Sequence, residues 1–288
     1  MFRYLTIIST FLYVRLVVTE INPAKCFESE MREACRGKYQ QKHAFFTLPD
    51  RWSDTLSFSN QDLVKCLDSK PRWIHFAGDS TSRNLFSELL TNYYNVSTNY
   101  LDNGLPHELS SKPTKISWAF KGKWMKSYSN VAYDVNNEIF HNMSVTKNFP
   151  DVLFIGIGAH ELMSWSGRKS PIVSVDIFIK ETDEFLALLE KWSFFNNSKT
   201  AVYFTNMNSL RGWRISFDAM SNLRDYACEQ QKYACRAFRA KGARVIDMFG
   251  ISNERPDLAD KAGLHYHRPV VTEQVKSLIY DVCKSEAT

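Results

Sequence analysis

The sequence predicts an α/β protein: a three-layer, doubly wound, mostly parallel sheet with a disulfide-tied N-terminal arm. Three observations carry this. From about residue 72 to 283, apolar runs of strand length alternate with segments of helical periodicity, the alternation that parallel sheets with crossover helices produce. One run, Asp151-Val-Leu-Phe-Ile-Gly-Ile-Gly158, is continuously apolar, as a strand covered on both faces requires. Six cysteines, an even number without CxxC or zinc-ligand spacing, read as disulfides of an oxidising compartment.

The elements follow in order. Residues 26–70 are cysteine-bearing and irregular, with turn-like stretches at Asp50-Arg51-Trp52 and Leu67-Asp68-Ser69-Lys70-Pro71, and read as the arm. Trp73, Ile74, Phe76 and Ala77 form a first strand over 72–78, and Leu85, Phe86, Leu89 and Leu90 have the spacing of a helix over 82–93. Lys115–Phe120 and Glu138–Phe140 are short strand candidates. After the 151–158 strand comes a helix over 173–195 with Ile177, Phe185, Leu188 and Leu189 on one side. A strand at 200–206, a helix at 218–240, a strand at 243–248 and a terminal helix at 272–283 complete the pattern. Cys228 and Cys235 lie seven apart on one helix, too far for an easy mutual bridge, so they are expected to pair elsewhere, with Cys66 and Cys283 among the candidates; six cysteines allow about 15 connectivities, and the sequence does not choose among them.

The chain has 288 residues, 44% hydrophobic and 23% charged, enough to bury a full core as one domain over 71–288. Its net charge of +5 is spread without a block of five basic residues or an arginine–aromatic stripe, so nucleic acid is not an expected partner.

Residues 1–19 read as a secretory leader: a short basic start, an apolar stretch from Leu5 to Val14, and a small-residue exit at Val17-x-Thr19. Arg15 interrupts that stretch, so an uncleaved membrane anchor is the second reading. Sequons at Asn95-Val-Ser, Asn142-Met-Ser and Asn196-Asn-Ser agree with the cysteines and the leader. The expected location is secreted, or the lumen of the endoplasmic reticulum and Golgi. A membrane enters only if the leader stays attached.

The most informative stretch is Gly78-Asp79-Ser80-Thr81-Ser82-Arg83-Asn84. It breaks an apolar strand and opens a helix, so Ser80 falls at the carboxyl edge of the sheet beside unpaired helix N–H groups. Two roles fit Ser80 there: helix N-cap, or nucleophile with oxyanion donors at hand. A serine nucleophile needs a base, usually histidine. Of seven histidines, His265 stands out, in Gly263-Leu264-His265-Tyr266 between the last strand and the last helix. His75 lies within the first strand, and His43, His107 and His141 have no motif around them.

The pairing of Gly78-Asp79-Ser80-x-x-Arg83-Asn84 with a late Gly263-Leu264-His265 resembles the PC-esterase branch of the SGNH/GDSL hydrolases. That branch includes the trichome-birefringence-like polysaccharide O-acetyltransferases and the sialate O-acetyltransferase catalytic domains. The resemblance implies an SGNH-hydrolase, flavodoxin-like domain with Ser80 as nucleophile and His265 as general base. It implies that Gly158 and His160, in Gly158-Ala159-His160-Glu161, position the reacting carbonyl, and that Arg83 and Asn84 belong to the same substrate-facing element. The chemistry implied is acyl transfer or ester hydrolysis on carbohydrate O-acyl groups through an acyl-serine, with a glycan acceptor and an acyl donor left open. Such chemistry needs no cofactor and no metal. No lid-like apolar segment follows the leader, which argues against a lipid substrate.

The chain departs from that pattern at one position. Where the family has aspartate three residues before the histidine, this sequence has Ala262; Asp260 is five residues before His265 and Asp257 eight. Asp260 orienting His265, His267 serving as base, a serine–histidine dyad, and an inactive site all remain open. The last would make the chain a secreted glycan- or protein-binding glycoprotein that keeps the fold.

Overall fold

Five parallel strands, with one short antiparallel strand at an edge, make one six-stranded sheet. The computed structural model describes residues 35, 59–97, 107–109, 113–120, 130–162, 173–210, 217–260 and 263–285. Residues 1–19, expected to be a leader, most of the arm and Ala262 lie outside the described residues. The strands are β1 (Arg72–Gly78), β2 (His107–Leu109), β3 (Thr114–Phe120), β4 (Val152–Gly156), β5 (Ala201–Thr205) and β6 (Arg244–Ile246). Helices α1 (Asn60–Leu67), α2 (Ser80–Glu88, continued by a π turn over Leu89–Tyr93), α3 (Asn130–Thr146) and α4 (Ala159–Leu162) come first. Then come α5 (Val175–Lys191), α6 (Phe217–Ala240), α7 (Met248–Asn253) and α8 (Arg268–Ser285). None of the described helices is long and apolar enough to cross a membrane.

The sheet divides two cores, because successive strand side chains point to opposite faces. Ile74, Phe76, Phe154, Tyr203 and Ile246 face α1, α2 and α8, where Leu63, Leu67, Phe86, Val275 and Leu278 meet them. Leu153, Ile155, Val202, Phe204 and Val245 face the other way, onto Phe140 of α3, Phe178 and Phe185 of α5 and Phe238 of α6. This is the three-layer α/β arrangement that the alternation of runs predicts.

Three expectations change. Residues 138–140 are not a strand but part of α3, where Phe140 and Met143, three apart, bury together; three residues are too few to separate a period of two from one of 3.6. Residues 60–67 of the supposedly irregular arm form α1, opened by a capping box in which Ser59 and Asp62 bond each other's backbone N–H. The cysteine pairing also differs: Cys66 bridges Cys283 and Cys35 bridges Cys235. Cys66 and Cys283 sit on the α1/α8 face while Cys228 and Cys235 belong to the other core, so the sheet itself keeps the two sets apart. Cys228 is also disulfide-bonded.

The sheet order is β2-β3-β1-β4-β5-β6 with β2 antiparallel; β1 lies between β3 and β4, and the chain runs outward from it to β3 on one side and to β4 on the other. That is the flavodoxin-like strand order, whose ligand crevice lies where the winding reverses, outside the carboxyl ends of the two strands at the switch. Here those strands are β1 and β4, which end at Gly78 and Gly156.

Candidate active site

The turn from β1 into α2 is built by small residues. The space a Cβ on Gly78 would take is held by Ser82 Oγ and the Gly156 carbonyl, and that of Gly156 by Ser82 Oγ and Thr205 Oγ1. Ser82 Oγ donates to the Gly156 carbonyl at 3.1 Å and Asp79 N–H to the same oxygen at 3.3 Å. The N-terminus of α2 is therefore pressed onto the ends of β1 and β4.

Asp79 is the helix N-cap. Its Oδ1 accepts the Thr81 N–H at 2.8 Å and the Thr81 hydroxyl at 2.6 Å, and its carbonyl accepts the Arg83 N–H at 3.0 Å. The capping role therefore falls to Asp79 and not to Ser80, whose side chain is free for another partner. That partner is His265: Ser80 Oγ lies 2.7 Å from Nε2.

His265 is held by a closed loop. A β-bridge joins Ala259 to Tyr266, with Asp260 N–H donating to the His265 carbonyl at 2.7 Å and His267 N–H to the Leu258 carbonyl at 2.8 Å. Inside that loop Asp260 Oδ1 accepts the N–H groups of Leu264 and His265 at 3.2 and 3.3 Å, and Oδ2 lies 3.3 Å from His265 Nδ1. A carboxylate only accepts, so the proton between them sits on Nδ1, which leaves Nε2 with its lone pair toward the Ser80 hydroxyl. Serine, histidine and aspartate thus stand in the order of an acyl-transfer triad. The 3.3 Å contact is longer than a charge-assisted bond ordinarily is.

The other candidates fall around this centre. Arg83 and Asn84 follow Ser80 by three and four residues in α2 and so share its side of the helix; both are half-buried, and neither side chain has a hydrogen bond among the described residues. Gly158, just beyond β4, has φ +142°, a value that favours glycine, and Gln231 Nε2 fills the place of a Cβ. His160 lies in the first turn of α4, and its side chain is outside the described residues. His267 is exposed and its imidazole has no hydrogen bond among the described residues, so His265 and not His267 meets Ser80. Asp257 is held by Arg255 at 2.8 Å, a contact that keeps its carboxyl below the usual range. His75, buried in β1, bonds Ser117 Oγ at 2.8 Å and is structural.

Of the supporting residues, Tyr266 stands beside His265 in its motif, while Asn208, Gln274 and Glu88 have no motif in the sequence. Asn208 Nδ2 donates to the Leu264 carbonyl at 3.2 Å, Gln274 Nε2 to Asn208 Oδ1 at 2.6 Å, and the Tyr266 hydroxyl to the Ser209 carbonyl at 3.0 Å. Buried Glu88 of α2 accepts from Thr272 Oγ1 at 2.5 Å, pairs with Arg268 Nε at 3.3 Å and bonds Asn92. These contacts fix the His265 loop and α8 against α2. The only advance signal was the run of polar residues Asn206-Met-Asn208-Ser209 at the end of a strand.

No protein-family model and no curated protein matches the chain. Among solved structures it is similar to a protein assigned as a GDSL-like lipase from Parabacteroides merdae, with 14% identity over 73% of this chain and 95% of that one, TM-score 0.46. It is also similar to an alpha/beta hydrolase from the metagenome of Lake Arreo, Spain, with 11% identity over 75% and 96% of the two chains, TM-score 0.46. Likenesses this loose carry no argument about activity; the strand order and the Ser80–His265–Asp260 geometry stand on their own.

Proposed function

We propose that this chain is a serine acyl-esterase or O-acetyltransferase of the secretory pathway, acting on O-acyl groups of carbohydrate. The observation that carries the proposal is the chain of contacts from Ser80 Oγ through His265 to Asp260, 2.7 and 3.3 Å, at the switch point of the sheet. Ser80 Oγ attacks the acyl carbonyl carbon, its proton passes to His265 Nε2, and the alcohol leaves with that proton. A sugar hydroxyl or water then attacks the acyl-serine, gives its proton to Nε2 and restores Ser80. The oxyanion forms beside the Ser80 N–H, the first helical N–H of α2 and without a partner among the described residues; one such donor contributes ~3 kcal/mol in comparable sites. The carbohydrate assignment rests on the PC-esterase resemblance, with Arg83 and Asn84 supplying donors suited to hydroxyl or carboxylate groups.

Labelling with a fluorophosphonate probe tests the chemistry. Wild type should label, and Ser80→Ala and His265→Ala should not. Equal labelling of Ser80→Ala would put the reactive nucleophile elsewhere and overturn the assignment of Ser80; no labelling together with no turnover of p-nitrophenyl acetate would leave the non-catalytic glycoprotein as the reading. Release of acetate from O-acetylated glycans, compared with hydrolysis of long-chain acyl esters, tests the substrate class.

A further inference from the structure

We infer that Asn95, Asn142 and Asn196 carry N-linked glycans, and that the fold gathers all three on the end of the sheet opposite Ser80. The sequons alone say little, because such triplets arise often by chance. Their placement is what the structure adds. Asn196 lies in the turn after α5, where Thr200 Oγ1 donates to the Pro150 carbonyl at 2.8 Å and Ala201 N–H to the Asp151 carbonyl at 2.8 Å, both just ahead of β4. Asn142 is one turn from the end of α3, the helix that delivers the chain to β4, and neighbouring His141 stands 6.1 Å, ring to ring, from Trp192 at the end of α5. Asn95 follows the π turn of α2, and adjacent Tyr94 donates its hydroxyl to Asp68 Oδ1 at 3.1 Å, four residues before β1. All three therefore sit at the amino ends of the parallel strands. Ser80 and His265 sit beyond the carboxyl ends, separated from them by the length of β1, about 20 Å for seven residues.

The local surroundings suit a bulky polar adduct. All three asparagines are exposed, and none of their side-chain amides has a hydrogen bond among the described residues. Asn206 and Asn208, at the catalytic end, are instead buried and bonded. Val145, three residues after Asn142 on the same face of α3, is 65% exposed, an apolar surface that a glycan would cover. Asn95 has φ +54° and ends its helix, a conformation asparagine adopts readily, so its side chain projects from a turn. The modification joins the asparagine amide nitrogen to the anomeric carbon of a polyprenyl-pyrophosphate-linked oligosaccharide. The C–O bond to pyrophosphate breaks, and the amide loses one proton. Glycans so placed leave the carboxyl edge open to substrate.

The inference shares the secretory route with the proposed function but not its chemistry: an inert Ser80 leaves it standing. The test is expression of the full chain, with its own N-terminus, in a eukaryotic secretory cell, followed by peptide:N-glycosidase digestion. Three gel-mobility steps should collapse to one band, with asparagine converted to aspartate at 95, 142 and 196 in the peptide masses. Ser97→Ala, Ser144→Ala and Ser198→Ala each destroy a sequon while keeping its asparagine, including the αL position at Asn95, and each should remove one step. An enzyme-insensitive band, or a step that survives in the triple variant, overturns the inference; a serine change that removes no step overturns it at that site.

Discussion

Asp260 has two tasks, one for each oxygen. Oδ1 closes the loop by accepting two backbone N–H groups, and Oδ2 faces His265 Nδ1. Asp260→Asn keeps an acceptor for the loop but sets an amide in competition with the carboxylate contact, and so disfavours the Nδ1–H tautomer. Its kcat for an acyl ester should fall by up to ~10⁴ with KM little changed, while its melting temperature stays near that of wild type. A fall in stability equal to that of Asp260→Ala, with kcat retained, would make Asp260 a loop residue only. At this scale the sequence singled out Ser80 and His265 by their order and flanking glycines, and the fold sets them 2.7 Å apart, but the sequence could not choose among the acids. Spacing does not disclose the shape of a loop, and here the Ala259–Tyr266 bridge brings a residue five positions away to the imidazole. Nor could it assign the cap: Asp79 and Ser80 both favour that position, and the backbone alone decides that Asp79 takes it.

The seat of α2 shows how one helix end depends on absent atoms. A methyl group on Gly78 meets Ser82 and the Gly156 carbonyl, and backbone cannot step aside as a side chain can. Gly78→Ala should lower stability by about 1–3 kcal/mol and, by displacing Ser80 from His265, should lower probe labelling more than Ser82→Ala does. Ser82→Ala removes only one bond, worth about 1 kcal/mol. On α8, Glu273 is buried, and its Oε2 has no hydrogen bond among the described residues; burial raises its pKa, with Lys276 opposing. A carboxyl whose folded pKa is raised contributes stability below its unfolded pKa and loses it as pH rises through the folded value. Glu273→Gln should therefore be more stable than wild type at pH 7, by about 1 kcal/mol, and the gap should close as pH falls below the ordinary carboxylate range. A gap that widens on acidification would contradict this. Long periodic segments such as α5 and α6 were legible in advance. The short stretch 138–140 was not, because its helix is defined by what Phe140 packs against in three dimensions.

Across the whole molecule, each face of the sheet has its own covalent tie. Cys66–Cys283 joins α1 to α8, and Cys35–Cys235 joins the arm to α6, with Cα separations of 6.1 and 5.0 Å. The even cysteine count made the ties legible, but the pairing depends on which side of the sheet each helix takes, and periodicity does not state that. The two ties close loops of 217 and 200 residues. A cross-link of that span removes conformations mainly from the unfolded chain, and losing a native one typically costs 2–5 kcal/mol. For a domain of this size that corresponds to a Tm lower by roughly 5–15 °C. The Cys66→Ala/Cys283→Ala pair has a further consequence, because α8 begins three residues after His265 and is held to α2 by core packing and by polar contacts among Glu88, Arg268 and Thr272. Probe labelling by this variant should be lost at a lower temperature than its Cys35–Cys235 core melts, since only the α1/α8 face has been released. Melting followed by near-ultraviolet circular dichroism, alongside labelling at each temperature, separates the two events. A single coincident transition at the wild-type Tm would show that the disulfide stabilises neither the face nor the His265 loop.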